Sequence, residues 1–355
     1  MPDGSPSIHR IVARLVNLPL LDRFATARSR LGERDVVLIT VESSGLAGWG
    51  EVAPVPGHTE EGIDDLWERV CGHFDSHGLR TPQHATGMLA AAFAAAIADL
   101  TARSSGAPLW QVIGGGGNVP ASAAIGVDEW GNPDRQLLDD AAGSGYRFAK
   151  LKITPTTDVS RLALLVGEYP RVRFGVDANG SLDVADRSRL EALDNLGLEY
   201  IEQPGPRDDL ELHRQLCERL VTPISLDESA SSIETVERII DRRAADIINL
   251  KNGRFGPDTT LDLAARANSA GVRARLGGLI ETGVGRAHSV ALASHPCFSV
   301  VGDIAGSDRY FADDLVRPQW TVGDGQMALP DGPGIGVDVD EEAVAAHTIA
   351  TSSVG

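Results

Sequence analysis

A series of charged residues recurs through the middle of the chain at a nearly constant interval. From the second of them onward the spacing is 25, 25, 25 and 24 residues. Each one ends or directly follows a short apolar run, and each interval contains one helix-like pattern, which is typical of successive β/α units. In folds of this kind the chemistry lies at the carboxyl ends of the strands. The residues in the series are Lys150, Lys152, Asp177, Glu202, Asp227 and Lys251.

The three carboxylates of the series predict a divalent cation site. They follow three consecutive strands, and neighbouring strands lie roughly 4.8 Å apart, so these carboxylates would repel one another without a cation. Oxygen ligands on short, rigid positions suit Mg²⁺, and Mn²⁺ is an acceptable substitute. Asn179 and Glu228, close to two of the predicted ligands, are expected to orient them rather than to bind the ion. The alternative is that each carboxylate pairs with an arginine at the barrel rim.

The lysines of the series predict proton transfer. The sequence contains 32 lysines and arginines, of which Lys150, Lys152 and Lys251 alone are lysines. Lys150 and Lys152 are two apart on one strand and point to the same side, whereas Lys251 follows a strand four positions further round the barrel. A substrate carboxylate between them could lose the proton on its neighbouring carbon to a lysine, and the metal would stabilise the enediolate. The alternative is that these lysines remain from an arginine bias and form ordinary ion pairs.

The pattern around the series predicts two domains and a return segment. Residues 1–118 are predicted to form an α+β domain, with strands at 8–19, 35–43 and 48–51, a polar loop at 22–33, and helices at 61–75 and 82–103. Strands and helices then alternate, which indicates a closed (β/α) barrel over residues 119–312. Its eight strands are predicted at 121–126, 147–153, 172–176, 198–201, 224–226, 246–250, 273–276 and 298–301. Residues 313–355 are expected to pack back onto the first domain.

Composition restricts the partners and the location of the protein. The chain has 355 residues, 42% of them apolar and 23% charged, as in an ordinary globular protein. A formal net charge of −18 argues against nucleic acid and an anionic membrane surface as partners, but not against a small anionic substrate. Three scattered cysteines and a start without the pattern of a signal peptide favour the cytoplasm. We therefore expect a cytoplasmic protein with a small carboxylate substrate, and leave a homo-oligomer open.

These residues resemble the enolase superfamily, in particular its muconate-lactonizing-enzyme-like subgroup. The two lysines of Lys150-Leu151-Lys152, the three carboxylates and Lys251 carry the resemblance, which covers nearly the whole chain. It implies an α/β fold in which a modified TIM barrel, (β/α)7β, follows an N-terminal α+β capping domain that the C-terminal segment completes. It also implies that Lys152 is the main base and acid and that Lys251 faces it.

Three longer segments, residues 251–256, 277–287 and 302–310, look like one branch of that subgroup. This branch contains the o-succinylbenzoate synthases and the N-succinylamino acid racemases. The resemblance implies either a Mg²⁺-dependent dehydration in menaquinone biosynthesis or a racemisation that uses the two facing lysines as a pair of bases. The sequence does not separate these reactions. A barrel without catalytic activity would be expected to have lost a lysine or a ligand, and this chain has lost neither.

Two departures from the family pattern concern the substrate. The segment that closes over the substrate in relatives reads Asp22-Arg23-Phe24-Ala25-Thr26-Ala27 here, with a charge before the phenylalanine and alanine in place of serine. After Gly277-Gly278 the family often has methionine, and this chain has leucine. The residues predicted to contact the substrate or to support those that do are Phe24, Thr26, Gly278 and Glu281, with Asn179 and Glu228.

Overall fold

The computed structural model describes residues 7–25, 30–183 and 185–355. Its first part is an antiparallel sheet covered by helices. The elements of this part are β1 (Arg10–Ala25), β2 (Arg30–Ser43), β3 (Leu46–Val52), α1 (Ile63–His77), a 3₁₀ turn (Gly78–Arg80), α2 (Thr81–His84), α3 (Gly87–Ser105) and α4 (Leu109–Val112). We call this part the cap.

The alanine-rich helix α3 packs directly on β3 because that strand carries glycines. A Cβ atom at Gly50 would lie 2.0 Å from the carbonyl oxygen of Ala92, and one at Gly48 would lie 2.2 Å from that of Ala96. No side chain other than hydrogen fits there, so the helix backbone can approach the sheet closely. This contact buries one face of α3 in the core of the cap.

The second part is a parallel sheet whose seven strands follow one another in chain order. Its elements are β4 (Val119–Pro120), β5 (Ala123–Ile125), α5 (Arg135–Gly143), β6 (Phe148–Lys152), α6 (Val159–Glu168), β7 (Arg173–Asp177), α7 (Arg187–Asp194), β8 (Ile201–Glu202), α8 (Leu210–Arg219), β9 (Ile224–Leu226), α9 (Ile233–Arg242), β10 (Ile247–Leu250), α10 (Asn252–Phe255), α11 (Pro257–Ser269), β11 (Arg273–Leu276) and α12 (Gly283–Ala293). The two-residue β4 lies outside the seven-stranded sheet and pairs with a later strand.

Residues 298–304 close the sheet into a barrel. Phe298 forms a parallel bridge with Ala274 of β11, and the Asp303 N–H donates to the carbonyl of Leu276. On the other side the Ser122 N–H, just before β5, donates to the carbonyl of Ile304. The eighth position of the barrel is therefore occupied, and the (β/α)7β architecture with its antiparallel cap confirms the fold expected from the sequence.

The last residues return to the cap. The remaining elements are a 3₁₀ turn (Ser307–Arg309), β12 (Val316–Arg317), β13 (Gln326–Met327), β14 (Asp338–Val339), α13 (Glu341–His347) and β15 (Thr348–Val354). Strand β15 pairs antiparallel with β1 and makes the cap sheet run β15-β1-β2-β3. Within the described ranges no single helix is long and apolar enough to span a membrane. Residues 63–84 and 87–105, which meet at an angle of 71°, are together long and apolar enough, by length and composition alone.

Three predictions of local structure were wrong. The polar loop predicted at 22–33 is largely strand, because β1 continues to Ala25 and β2 begins at Arg30. The predicted eighth strand at 298–301 makes one isolated bridge instead of a regular ladder. Strand β15 was not predicted, since its alternating Thr and Ser residues give a weak apolar signal next to a short helix. In each case tertiary pairing, rather than local pattern, decided the structure.

Four of the helices around the barrel begin at aspartates that cap them. At the start of α5, α6, α7 and α8 the side chains of Asp134, Asp158, Asp186 and Asp209 each accept a backbone N–H of the first turn. These caps satisfy donors that a helix leaves unpaired at its N-terminus. They fix where each helix begins after the loop that follows a strand, and those loops surround the candidate site.

Candidate active site

One cavity lies between the carboxyl ends of the barrel strands and the cap. The charged residues of its barrel side come from β6, from the ends of β9 and β10, from the closing segment at Asp303 and from α12, and its cap side is formed by Val55 and His58. The residues that line it are Val55, His58, Ala124, Lys150, Lys152, Asp227, Lys251, Gly278, Leu279, Ile280, Arg286, Asp303 and Tyr310. The three lysines of the sequence therefore face one space, together with one of the three predicted carboxylates.

The deeper layer of the site is a set of buried, mutually paired charges, which we call the inner network. Lys150 Nζ lies 2.8 Å from Glu202 Oε2, 2.9 Å from Asp303 Oδ2 and 3.3 Å from Asp177 Oδ2. Arg275 reaches Glu202 Oε1 at 2.7 Å and Asp303 Oδ1 at 2.5 Å. The inner network consists of Lys150, Glu202, Asn249, Arg275 and Asp303, and Asn249 Nδ2 donates to Glu202 Oε1 at 2.6 Å.

The inner network rests on an aromatic floor inside the barrel. The Arg275 guanidinium lies 4.4 Å from the centre of the Tyr200 ring, which stacks on Phe148. The ring fits because position 175 on the neighbouring strand is glycine, where a Cβ atom would lie 2.5 Å from the Tyr200 ring. A cation over a buried aromatic face gains attraction to the ring as well as to its carboxylates.

The shallower layer, which we call the rim group, holds the two other lysines, the polar residues around them and one histidine of the cap. Lys152 Nζ donates to Asp177 Oδ2 at 2.6 Å and to Asn179 Oδ1 at 3.0 Å. Asn179 Nδ2 in turn donates to Glu228 Oε1 at 3.0 Å. Asn179 has a φ of 46°, a left-handed conformation that asparagine tolerates better than most residues. The rim group consists of Lys152, Asp177, Asn179, Asp227, Glu228, Lys251 and, from the cap, His58.

The second lysine of the rim group stands on the opposite side of the barrel. Lys251 Nζ donates to Asp227 Oδ2 at 2.7 Å. Lys152 ends β6 and Lys251 follows β10, and these strands are four places apart in the sheet. Each rim lysine therefore has one carboxylate at a comparable distance, and the two amines approach the cavity from different walls.

Burial and pairing give the charged groups different pKa values. Burial opposes the charge on Lys150, but attraction to Asp303, Glu202 and Asp177 outweighs it and raises the Lys150 pKa well above its ordinary value. For Asp303, burial is outweighed by Arg275 and Lys150, so its pKa is lowered. Burial dominates at Glu202 and raises its pKa despite Arg275 and Lys150. Lys150 is therefore held as an ammonium, which a general base cannot be.

The pKa values of the rim carboxylates also shift in different directions. Burial disfavours the charge on Asp177 and Asp227, but Lys152 and Lys150 lower the pKa of Asp177, and Lys251 lowers that of Asp227. Burial and the neighbouring carboxylates of Asp227 and Asp177 raise the pKa of Glu228 to about 7. Burial and the ammonium groups of Lys152 and Lys251 lower the pKa of His58 to about 4.

The three predicted metal ligands are buried at the ends of consecutive strands, each turned toward a cation of the protein. Among the residues that the structure describes, no three His, Cys, Asp or Glu side chains are already arranged to hold a metal ion. Two observations nevertheless fit a divalent cation. The donor set consists of carboxylate oxygens on short strand ends, the chemistry that Mg²⁺ prefers. Glu202 Oε2 also makes no hydrogen bond with a described residue, although Lys150 Nζ is 2.8 Å away as an ion-pair partner.

The loop after β11 forms one wall of the cavity. A Cβ atom at Gly278 would lie 2.7 Å from the carbonyl oxygen of Asp303, so glycine is required for the loop to pass this close. Glu281 lies behind the wall, where it accepts from the Leu279 N–H at 2.6 Å and from Ser289 Oγ at 2.9 Å. Gly278 thus lines the cavity and Glu281 supports its wall. Thr26 lies outside the described residues, and of Phe24 only the backbone, in β1, is described.

Sequence reasoning missed most of the inner network, although a signal for it was present. Asn249 and Arg275 lie two residues before Lys251 and Gly277, as Lys150 lies two residues before Lys152. Side chains two apart on a strand share a face, so polar residues at these positions form a second layer inside the barrel. His58 had no such signal, because it comes from the cap, which the barrel pattern does not reach.

Known proteins share this architecture and much of this sequence. Residues 134–343 match the family model described as enolase C-terminal domain-like. An o-succinylbenzoate synthase from Geobacillus kaustophilus is 34% identical over 96% of this chain and 96% of its own length. An N-succinylamino acid racemase from Thermus thermophilus is 35% identical over 91% of this chain and 92% of its own. A solved enolase superfamily member from Listeria innocua superposes with a TM-score of 0.88 at 29% identity, covering 98% of this chain and 99% of that one.

Proposed function

This chain belongs to the enolase superfamily, and from that premise we propose that it removes a proton from the carbon next to a substrate carboxylate. The reaction we assign is that of o-succinylbenzoate synthase, a dehydration in menaquinone biosynthesis. The observation that carries the proposal is that Lys152 and Lys251 reach one cavity from strands four places apart. A small carboxylate substrate between them has an amine on either face.

In the dehydration, Lys152 acts first as a base and then as an acid. Its neutral amine takes the proton from the carbon next to the carboxylate, and the electron pair of that C–H bond moves into an enediolate. The enediolate then expels the hydroxyl group, which receives the proton from the Lys152 ammonium and leaves as water. Asp177 and Asn179, at 2.6 and 3.0 Å from Nζ, hold the amine in position for both steps.

Lys251 has a different role in this reaction. One base is enough when the proton is removed and the hydroxyl group is protonated on the same face, so Lys251 contributes a positive charge near the developing enediolate. Asp227 fixes its position at 2.7 Å. Asp177, Glu202 and Asp227 would hold Mg²⁺, or Mn²⁺ in its place. When bound, such an ion supplies positive charge that stabilises the enediolate oxygens.

Racemisation of N-succinylamino acids is the second candidate, and one observation favours it. Lys251 has the same kind of neighbourhood as Lys152, with a single carboxylate at 2.7 Å compared with 2.6 Å. In a racemase one lysine removes the α-proton, and the other, as an ammonium, delivers a proton to the opposite face of the same carbon. The stereocentre is inverted, and the two lysines have exchanged protonation states.

A steady-state assay tests the proposal. The purified protein with Mg²⁺ is given the cyclohexadiene precursor of o-succinylbenzoate and, separately, N-succinylamino acids in D₂O. We expect the precursor to be converted with the higher kcat/KM, and chelation to abolish turnover until Mg²⁺ is restored. Lys152→Ala is the matched control for contamination by another enzyme. If the protein neither consumes the precursor nor exchanges an α-hydrogen with solvent, the proposal is wrong.

A further inference from the structure

Arg34 is a buried arginine of the cap that binds backbone carbonyls. It lies on β2, and 3% of its surface is exposed. Its guanidinium donates to the carbonyls of Ile280 at 3.1 Å, Leu279 at 3.0 Å and Pro54, and to that of its neighbour Asp35 at 3.2 Å. Among the described residues it forms no ion pair, which is unusual for a buried charge. Its hydrogen bonds join the cap to a barrel loop 246 residues away in sequence.

The carbonyls that Arg34 binds belong to the apolar wall of the cavity. Leu279 and Ile280 line the cavity themselves, and Pro54 directly precedes Val55, which also lines it. We call Val55, Leu279 and Ile280 the apolar wall. Its members come from two loops that, within the described residues, form no backbone hydrogen bonds with each other. The forked guanidinium is the group that spans them, and its geometry allows several bonds at once.

The barrel loop needs such support because its backbone is strained. Ile280 has a φ of 55°, in the left-handed region that a β-branched side chain strongly disfavours. A residue keeps this conformation only where its surroundings hold it there. Arg34 binds the carbonyl of this residue and of the one before it, so it acts at the strained point.

A second cap residue binds the same segment through its N–H groups. Glu51 on β3 accepts from the Thr282 N–H at 2.9 Å, the Thr282 hydroxyl at 2.6 Å and the Gly285 N–H at 2.9 Å. Burial lowers the pKa of Arg34 to about 10, although neighbouring carboxylates favour its charged form. Burial raises the pKa of Glu51 to about 7, although its hydrogen bonds from Thr282 and Gly285 favour the carboxylate. Arg34 stays charged at neutral pH, and the cap therefore holds the carbonyls at 279–280 and the amides at 282–285.

We infer that Arg34 is a positioning residue that sets substrate specificity by fixing the apolar wall. The inference rests on the second candidate function, racemisation of N-succinylamino acids, for the identity of the substrate. In that reaction Lys152 and Lys251 act at the carbon next to the substrate carboxylate. The apolar wall faces the part of the substrate that varies among N-succinylamino acids, so its position decides which side chains fit. Among the described residues, the hydrogen bonds of Arg34 involve neither the lysines nor the predicted metal ligands.

The test compares Arg34→Met and Arg34→Lys with wild type on N-succinyl derivatives of alanine, leucine and phenylalanine. In Arg34→Met we expect the ratio of kcat/KM between the best and worst of these substrates to fall at least fivefold, chiefly through KM. Arg34→Lys should recover part of the ratio, because an ammonium can still bind one or two carbonyls. The control is Asp99→Asn, a buried cap carboxylate that binds Trp49 and Ile335 amides and not the wall. It should lower the thermal midpoint and leave the ratio unchanged.

Hydrogen exchange provides a readout that does not depend on turnover. In Arg34→Met, amides in residues 279–283 should exchange at least tenfold faster than in wild type, with the barrel strands unchanged. Unchanged exchange there, or faster exchange with an unchanged substrate ratio, would overturn the inference. If wild type converts none of these N-succinylamino acids, the racemase function fails instead, and exchange alone then decides whether Arg34 holds the wall.

Discussion

The inner network and the rim group lie in the same barrel mouth, but they use lysine in opposite ways. Lys150 meets three carboxylates within 3.3 Å, whereas Lys152, two residues later on the same strand, meets one. Three carboxylates hold a proton on the first amine, whereas the second contacts one carboxylate and one amide oxygen. The number of acidic neighbours, rather than the residue type, therefore separates a permanent charge from a candidate base.

The variant Lys152→Ala is the most direct test of the difference between the two lysines. It removes the proposed base while Lys150 still neutralises Asp177 and Glu202. We expect kcat for dehydration to fall by about 10³-fold or more, within the range of general acid–base catalysis. The variant should still fold, which a melting curve would check. Activity within tenfold of wild type would show that the base lies elsewhere.

Disrupting the inner network should lower the free energy of unfolding of the protein. Arg275→Met leaves Glu202 and Asp303 buried with Lys150 as their remaining cation, and removing one partner from a buried ion pair costs about 3–5 kcal/mol. Urea unfolding measures this cost. The matched control is Arg266→Met, because Arg266 pairs with Glu237 at the surface and exposed pairs contribute about 0–1 kcal/mol. Equal losses in the two variants would contradict the structural role of the network.

The variant Lys251→Arg tests whether the two lysines of the rim group have different roles. Arginine keeps the positive charge but does not give up a proton at accessible pH. We expect racemisation to fall by about 100-fold or more and dehydration by less than tenfold, because only the first reaction needs a second proton carrier. Both rates are measured on one preparation. A parallel loss of the two activities would mean that Lys251 has one role in both reactions.

The smallest expected effect is a loss of folding stability at acid pH that comes from a histidine outside the inner network and the rim group. His213 Nε2 accepts from the Gly205 N–H at 3.3 Å, so Nδ1 carries the hydrogen that reaches the Asp209 carbonyl at 2.8 Å. Burial lowers the His213 pKa below its ordinary value of 6.5, which favours the neutral ring in the folded state. Its contribution to stability is therefore complete above pH 6.5 and is lost as the pH falls through the folded pKa.

The variant His213→Gln tests that contribution. Each unit by which the pKa is lowered corresponds to about 1.4 kcal/mol. We expect the free energy of unfolding of the variant to vary less steeply than that of wild type between pH 6.5 and 5. Asp303 and Lys150 should add little slope in this window, because the pKa of Asp303 lies below it and that of Lys150 above it. An identical slope in variant and wild type would assign the acid sensitivity to other groups.

The barrel and its site were predictable to different depths. The register that places Lys152, Asp177, Glu202, Asp227 and Lys251 at strand ends is a repeat along the chain, so it is visible without any long-range contact. In the structure all five end a strand or follow one directly. Their assignment as bases and metal ligands remains a proposal.

The deeper layer was predictable only in part. Lys150 was named from the sequence, but its partner Asp303 is 153 residues away, and Arg275 is 73 residues from Glu202. Local pattern shows that a strand carries a polar residue, but not which charge it meets when the sheet closes. The closure itself, through residues 298–304, has one bridge and no regular strand pattern.

What the sequence by itself determined is the order of the β/α units and the residue types at their ends, because side-chain period and spacing are properties of the chain alone. What only the tertiary structure decided is which amine is surrounded by acids and which stands beside one. It also decided that Arg34 of the cap reaches the loop at Leu279 and Ile280. Both depend on how the closed barrel and the cap bring distant segments together, and the electrostatic environment of a buried charge is set by those neighbours.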